Sequence, residues 1–294
     1  MKTLLSPGDL IDASWDLYRS RFRAFFTVSG WLIVLIFLHF ISVLLYPDMY
    51  SASSYISLTR PETIGLILDL FTRFVLTPIL GFWVFLSVVR IGMRGTSSQS
   101  INQNQIFSET KKRFFPVLFV TILSGFMIVL AQIITFGPAS LLFGLGTWMH
   151  SAVLIGVGDV LFVFAAFGSL FLTCRWMLFY FMAPYVCAMD DVTKKEALVT
   201  SRQLVQTRFW SVLIRIVLPK FIFILFGLGF ISMVTFTLQI FINGSPDMNV
   251  NEIIRLTTFT SRALTVIVAI FLNPLLILSD VILYKNLSDT AEKS

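Results

Sequence analysis

Charged residues are scarce in this chain of 294 residues, of which only 13% are Asp, Glu, Lys or Arg. Soluble globular domains carry about 25% charged residues, so the deficit excludes a cytosolic enzyme, a disordered chain and a nucleic-acid-binding protein. Only two Cys and two His are present, which excludes a disulfide framework. The chain is instead 56% hydrophobic, with 31 Phe and a mean hydropathy of +0.86. Long apolar runs with almost no charge indicate a multi-pass membrane protein.

Six apolar stretches are long enough to cross a bilayer, whose hydrocarbon core of about 30 Å needs about 20 helical residues. The fourth stretch is too long for one straight crossing, so we expect a tilt, a break or an interfacial end. We also expect a short broken segment after the third span, where Gly137, Pro138, Gly144 and Gly146 cluster. The sequence therefore predicts an all-α polytopic fold in one transmembrane domain, residues 1–294, with spans at 24–46, 74–91, 114–136, within 153–189, within 216–242 and at 263–284.

Basic residues are divided unevenly between the segments that connect these spans. Most of the 22 Lys and Arg lie in the N-terminal segment, in the loops after spans two and four, and in the C-terminal tail. The opposite loops hold only Arg60, Arg73, Arg255 and Arg262. By the positive-inside rule, both termini are predicted to be cytoplasmic. This distribution also explains the net charge of +6 without a nucleic-acid partner.

Three of the predicted cytoplasmic segments resemble one another. Each combines an amphipathic stretch, a basic cluster and a pair of aromatics, and each leads into an odd-numbered span. Their aromatic pairs lie about 90 residues apart, and such regular spacing is typical of internal repeats. The returning spans share a proline, at Pro78, Pro184 and Pro274. We predict three repeated helix–hairpin units at 9–95, 103–189 and 194–287.

The first amphipathic stretch places Ile11, Trp15, Tyr18 and Phe22 on one face of a helix. Such a helix is suited to the membrane interface, with its apolar face in the lipid. The Arg and Lys residues beside it are placed to meet anionic headgroups. Membrane lipids are therefore the predicted partners, with another membrane protein as a further partner.

Two ends of the chain and the third unit carry a family resemblance. Its residues are Gly8-Asp9-Leu10, Trp15 and Tyr18, then Arg175, Pro184, Asp190-Asp191 and the stretch 197–210, and finally Pro274 with Leu283-Tyr284. The pattern resembles the membrane domain of glycerophosphodiester phosphodiesterases and related six-helix bacterial membrane proteins. The tail departs from the family, because Lys285-Asn286-Leu287-Ser288 follows Tyr284 where a Tyr-x-Asp-Leu-Arg-like sequence is common. The resemblance implies a six-helix module of the bacterial plasma (inner) membrane, and no phosphodiesterase catalytic domain is expected.

Catalytic and metal-binding motifs are missing from the sequence. His39 and His150 have no partner at a metal-ligand spacing, and neither a P-loop nor a His-Glu-x-x-His motif occurs. Asp190-Asp191 is an acidic pair without a second acidic cluster. We therefore predict no catalytic residue, no metal and no cofactor.

Polar residues within the spans are the remaining site candidates, namely Arg73, Arg175, Arg215, Lys220 and Asp280. Lys220 lies about 15 Å and Asp280 about 7–8 Å from the cytoplasmic edge, so Lys220 or Arg215 can reach Asp280. Asp69 and Arg73 are four residues apart on one helix and can pair. Such pairs either fix the helix register or line a path for a small solute or a lipid headgroup.

Two classes of function remain open at this point. The leading hypothesis is a non-enzymatic integral membrane protein with a membrane-organising or accessory role. The alternative is a transporter or channel for a small or amphiphilic solute. A water-filled cavity lined by the intramembrane charges would favour transport, and a dry, packed bundle would favour the accessory role.

The charge distribution generates the first testable prediction. Cysteines introduced at positions 1 and 294 should be labelled by a membrane-impermeant maleimide only after the cells are opened, because both termini are predicted to be cytoplasmic. A cysteine in the predicted external segment 46–59 is the matched control and should be labelled in intact cells. Labelling of either terminus in intact cells would contradict the predicted orientation.

Overall fold

The computed structural model describes residues 4–45, 58–96, 102–190, 192, 194–243 and 249–291. These residues are almost entirely helical, and none of them lies in a strand. Six helical segments are long and apolar enough to cross a membrane: Phe22–Leu44, Arg60–Thr96, Gln103–Trp148, Ala152–Met189, Phe209–Ile242 and Val250–Ala291. The predicted all-α fold with six candidate spans is confirmed.

The helices of the described residues are numbered in chain order. They are α1 (Pro7–Ser20), α2 (Phe22–Ser29), a 3₁₀ turn (Gly30–Leu32), α3 (Ile33–Leu44), α4 (Arg60–Phe71), a π turn (Thr72–Leu76), α5 (Thr77–Thr96), α6 (Gln103–Trp148), α7 (Ala152–Phe181), α8 (Ala183–Met189), α9 (Lys194–Gln206), α10 (Phe209–Asn243) and α11 (Val250–Ala291). Several of them extend well beyond the apolar runs, because a helix continues into polar sequence until a cap or a breaker ends it.

Two helix starts show how the local sequence sets these limits. Ser6 and Asp9 form a capping box at the start of α1, and the hydrogen bonds from Ser6 lower the pKa of the Asp9 carboxyl. Thr59 and Glu62 form a second capping box at the start of α4. This cap begins the second candidate span at Arg60, well before the predicted start at residue 74.

The expected broken segment after the third span is wrong. Helix α6 continues through Gly137, Pro138 and Gly144 to Trp148. One proline removes one backbone hydrogen bond, and a long helix in lipid tolerates this loss. The chain turns only at His150, whose φ of 50° lies in the left-handed region, and then enters α7.

Of the tilt, break or interfacial end expected in the fourth span, the structure shows a break. Helix α7 ends at Phe181, and α8 starts at Ala183. Pro184 stands in the first turn of α8, where a proline is tolerated because the first N–H groups of a helix have no partner within the helix. The two helices together form the candidate span Ala152–Met189.

The chain divides into two compact units, of which the first comprises residues 1–4, 112–214 and 284–294. The second unit comprises residues 5–111 and 215–283 and contains a hydrophobic core cluster. This cluster includes Phe25, Leu35, Val88, Ile106 and Leu278, which are at most 2% exposed. These boundaries do not follow the three predicted repeats, which stay a prediction.

Helix α1 buries a different face from the one expected to contact lipid. Leu10, Ser14 and Tyr18 are buried, whereas Trp15 and Phe22 are exposed. Tyr18 packs against Phe25 with ring centroids 5.8 Å apart, and burial raises the pKa of its hydroxyl. The prediction that Tyr18 faces lipid is therefore wrong. The face of α1 that packs on the core of the second unit begins at Leu10, one residue before the predicted face, which begins at Ile11.

Large apolar side chains cover much of the outer surface of the spans. Phe74, Phe167 and Phe226 are each more than 70% exposed. Apolar patches of this extent are rare on soluble monomers, and in a multi-pass membrane protein they are the surfaces that contact lipid.

A close approach of two backbone segments requires glycine at position 65. A Cβ atom at Gly65 would lie 2.6 Å from the carbonyl oxygen of Leu45, whereas a Cβ atom at Gly81 would have no atom of another segment within 4 Å. We expect Gly65→Ala to lower the free energy of unfolding by about 1–3 kcal/mol, because backbone cannot move aside as a side-chain tip can.

Gly81→Ala is the matched control for this substitution. It should be neutral or should stabilise the helix by up to about 1 kcal/mol, because Ala is the better helix former. Thermal unfolding of the detergent-purified variants measures both effects. Equal melting temperatures for Gly65→Ala and the unmodified chain would contradict the contact.

Candidate functional site

A buried carboxylate with several basic neighbours is the densest charged group in the second unit. Asp69 is only 3% exposed. Its Oδ2 atom is 3.0 Å from Arg73 Nε, and its Oδ1 atom is 2.5 Å from Arg262 Nη1. His39 Nδ1 is 3.6 Å from Oδ1, which is beyond hydrogen-bond distance. We call these four residues the Asp69 cluster.

Four elements position the Asp69 cluster. His39 comes from α3, Asp69 from α4 and Arg262 from α11, while Arg73 lies in the π turn that follows α4. The π turn is local, and the Thr77 hydroxyl donates a 2.7 Å hydrogen bond to the Thr72 carbonyl across it. Insertions of this kind change the direction of the side chains that follow, and they are frequent at functional sites.

The Asp69 cluster carries more positive than negative charge. Two guanidinium groups share one carboxylate, so the group has an excess of one positive charge when His39 is neutral. Arg262 is mostly buried, with 15% of its side chain exposed, whereas Arg73 is 46% exposed. Arg73 is therefore the member of the cluster that an anion from outside can reach.

A second ion pair lies within the apolar part of the same unit. Lys220 Nζ on α10 is 2.9 Å from Asp280 Oδ2 on α11. The Asp280 side chain is 4% exposed and that of Lys220 is 22% exposed. The pairing that the depth estimate allowed for Lys220 is thus observed, and each charge neutralises the other where lipid cannot solvate it.

The remaining two candidates from the sequence have other partners. Arg215 Nε donates a 2.6 Å hydrogen bond to the Leu5 carbonyl, so the structure brings Arg215 to the N-terminal segment. The Arg175 guanidinium lies 5.3 Å from the centre of the Phe179 ring, and that of Arg202 lies 5.9 Å from the same ring. Distances of about 6 Å or less are typical of a cation–π contact.

Sequence reasoning missed two members of the Asp69 cluster. From the sequence alone, Arg262 is placed in a connecting loop and His39 is considered only as a metal ligand. One signal was present, because Asp69 is among the few acidic residues near the predicted external ends of the spans. A basic residue at a similar depth on another helix was therefore a natural partner.

The first unit contains polar contacts of its own that the sequence did not reveal. Gln132 on α6 donates a hydrogen bond to the Thr173 hydroxyl and accepts a 2.9 Å bond from the Ser169 hydroxyl, both on α7. The Ser201 hydroxyl donates to the Phe179 carbonyl at 2.6 Å. Tyr284 donates a hydrogen bond to Asp190, whereas Asp191 lies outside the described residues.

The chemistry open to these groups is that of binding and charge pairing. Asp69 and Asp280 are both paired with cationic side chains of the protein. No three His, Cys, Asp or Glu side chains of the described residues come together as metal ligands. The geometry therefore supports ion pairs that join helices, with Arg73 as an exposed cation.

The Lys220–Asp280 pair generates a double-mutant test. We expect Lys220→Met alone to cost up to about 3–5 kcal/mol of stability, because it leaves Asp280 buried without its cation. Adding Asp280→Leu should restore much of that loss, since two apolar side chains are compatible with the apolar surroundings. Thermal unfolding in detergent of the four proteins of the cycle gives the coupling energy. Additive losses would contradict the pair.

The Asp69 cluster generates a test based on unequal exposure. Asp69→Asn should destabilise the protein by several kcal/mol, because Arg73 and Arg262 then lose the carboxylate that they share. Arg73→Gln is the matched control and should cost clearly less, because Asp69 then keeps Arg262 as its cation and Arg73 is the more exposed of the two arginines. Detergent melting curves measure both losses. A loss from Arg73→Gln as large as that from Asp69→Asn would show that the cluster does not depend on Asp69.

Comparison with known proteins gives no further information about these ion pairs. No family model, curated protein or solved structure matches this chain. The resemblance to the membrane domain of glycerophosphodiester phosphodiesterases therefore stays a prediction. The function has to be inferred from the contacts and charges of the chain's own residues.

Proposed function

We propose that this protein is a non-enzymatic integral membrane protein that organises the surrounding membrane or serves as an accessory to another membrane protein. It is a multi-pass protein of the bacterial inner membrane with both termini in the cytoplasm. Its principal partners are membrane lipids with anionic headgroups. It uses no cofactor.

One observation carries the proposal. The intramembrane charges that were candidates for a transport path are used in contacts between helices: Asp280 binds Lys220, and Asp69 binds Arg73 and Arg262. A carboxylate that serves a transported cation has to exchange its partner during the cycle. Asp69 and Asp280 are 4% exposed at the side chain and are already paired with cations of the protein, which is the arrangement of a structural cross-link.

The amount of exposed apolar surface is the second support. In the candidate span Phe209–Ile242, only 11% of the most apolar 18-residue stretch is buried within the protein. The corresponding share in Ala152–Met189 is 17%. Such spans interact mainly with lipid or with the apolar surface of another membrane protein. This is the surface that a membrane-organising or accessory role requires.

One observation favours the alternative of a transporter or channel. The Asp69 cluster has an excess positive charge, and the Arg73 side chain is 46% exposed. An exposed guanidinium within a candidate span can attract an anionic solute if it lines a path. The alternative therefore predicts solute movement that depends on the charged residues of the second unit.

A reconstitution experiment separates the two functions. In liposomes that contain phosphatidylglycerol, the purified protein should restrict the motion of spin-labelled phosphatidylglycerol more than that of spin-labelled phosphatidylcholine, because its basic residues favour anionic headgroups. The same liposomes should release entrapped ions, amino acids and glycerol phosphate no faster than protein-free liposomes.

The Arg73→Gln variant and the Lys220→Met/Asp280→Leu variant are the controls. Solute release by the unmodified protein that either variant abolishes would contradict the proposal and establish the transport alternative. Equal restriction of both lipids, without solute release, would contradict the anionic-lipid partner.

A further inference from the structure

A basic pocket lies at the junction of α1 and α2. Arg19, Arg21 and Arg23 line it together with Phe22 and Gln103. Helix geometry breaks at Arg21, whose φ and ψ are −121° and 22°. In an unbroken helix Arg21 would point about 200° away from Arg19. The break is consistent with all three arginines lining one pocket.

Among the described residues, no carboxylate forms an ion pair with Arg19, Arg21 or Arg23, although Asp16 is only three residues from Arg19. Arg19 and Arg23 are exposed and Arg21 is partly buried. Three positive charges without a protein countercharge, next to the first candidate span, attract an anion at the membrane surface.

An apolar groove of about 210 Å³ lies between α10 and α11 in the same unit. Phe226, Gly227 and Phe230 line one side, and Val268, Phe271 and Leu272 line the other. Gly227 lets α10 approach α11 closely at this groove, because a Cβ atom there would lie only 3.0 Å from Leu272 Cδ2 and 3.2 Å from Val268 Cγ1. The lining is entirely apolar, so its occupant is hydrocarbon.

Three aromatic rings connect the basic pocket with the apolar groove. Phe22 lines the pocket and stacks on Phe26 with ring centroids 5.7 Å apart. Phe26 contacts Phe271, which lines the groove, with ring centroids 5.8 Å apart. All three rings are about 40% exposed, so they form a continuous apolar strip on the surface.

We propose that the pocket, the strip and the groove together form one binding site for an anionic phospholipid. The phosphate of the headgroup pairs with Arg19, Arg21 and Arg23, and one acyl chain runs along Phe26 and Phe271 into the groove beside Gly227. A phospholipid is the ligand with an anionic end and a hydrocarbon end in this order, and burying each CH₂ group of its chain adds to its affinity.

This inference rests on the proposed lipid partner and assigns it a location. Counting the lipids bound to the purified chain by native mass spectrometry tests the location of the site. The liposome experiment tests the general preference for anionic lipid and the absence of transport. A chain that prefers phosphatidylglycerol in liposomes but fails the counting test would keep the proposed function and lose this site.

The test is native mass spectrometry of the full detergent-purified chain, titrated with phosphatidylglycerol or with phosphatidylcholine of the same acyl chains. We expect one phosphatidylglycerol to bind at least about tenfold more tightly than phosphatidylcholine, since basic residues near a membrane surface attract anionic lipid. Glycerol phosphate, which has no acyl chain, should not displace it. Displacement by glycerol phosphate would leave only a headgroup site and overturn the role of the groove.

Two sets of variants test the two ends separately. Arg19→Gln/Arg21→Gln/Arg23→Gln should remove the preference for phosphatidylglycerol, whereas Lys111→Gln/Lys112→Gln/Arg113→Gln removes the same charge elsewhere and should keep it. Gly227→Leu should weaken both lipids about equally by filling the groove, whereas Gly229→Leu, with open space around its Cβ position, should not.

Phe271→Ala provides a second test of the groove if Gly227→Leu does not fold. It removes the ring that joins the strip to the groove and should also weaken both lipids. A variant that combines the three arginine substitutions with Phe271→Ala should bind at most one lipid fewer than the unmodified chain, because the two ends belong to one site. Three results would each overturn the proposal. The first is an equal loss of the preference for phosphatidylglycerol in the variant at positions 19, 21 and 23 and in the variant at positions 111, 112 and 113. The second is undiminished lipid binding by Phe271→Ala, and the third is the loss of two bound lipids from the combined variant.

Discussion

A charge within the hydrocarbon of a membrane has to be paired, and helix α11 meets this requirement at two levels. Its Arg262 binds Asp69, and its Asp280 binds Lys220. At 1.5 Å per residue these positions are about 27 Å apart along the helix. Ion pairs at two heights fix both the rotation and the depth of α11, whereas apolar packing alone would tolerate sliding. The helix is also the most buried of the candidate spans, with 50% of its most apolar 18-residue stretch inside the protein.

The spans, the Lys220–Asp280 pair and the Asp69–Arg73 pair could be predicted from the apolar runs, from depth and from spacing along one helix. An apolar run of sufficient length has to become a helix in lipid, since every backbone polar group must be satisfied within it. Lys220 and Asp280 could be related because depth along a helix is linear in residue number. The length of the fourth apolar stretch predicts a tilt, a break or an interfacial end within it, but not where the break lies.

Contacts that depend on helix rotation and on neighbouring helices could not be predicted. The helical continuation through Gly137 and Pro138 depends on the surroundings of α6, since the same residues end other helices. Tyr18 is buried because of the face that α1 turns toward the core. Neighbouring residues of a helix point about 100° apart, so a shift by one residue selects a different face. The Asp69 cluster needs a residue from α11, far along the chain, at the height of the π turn. Sequence distance carries no information about such a meeting.

The turn between α6 and α7 has a consequence for how the first unit enters the membrane. The chain reverses within Met149, His150 and Ser151, and Gly146 and Gly158 let the two backbones approach so closely that a Cβ atom at Gly146 would lie 2.7 Å from the Ile155 nitrogen. Gln132 then finds its partners Ser169 and Thr173 on the adjoining helix. Two spans that satisfy each other's polar groups can leave the translocation machinery as one helical hairpin. During synthesis, Gln132 on the first arm would therefore meet its partners on the second without first facing lipid.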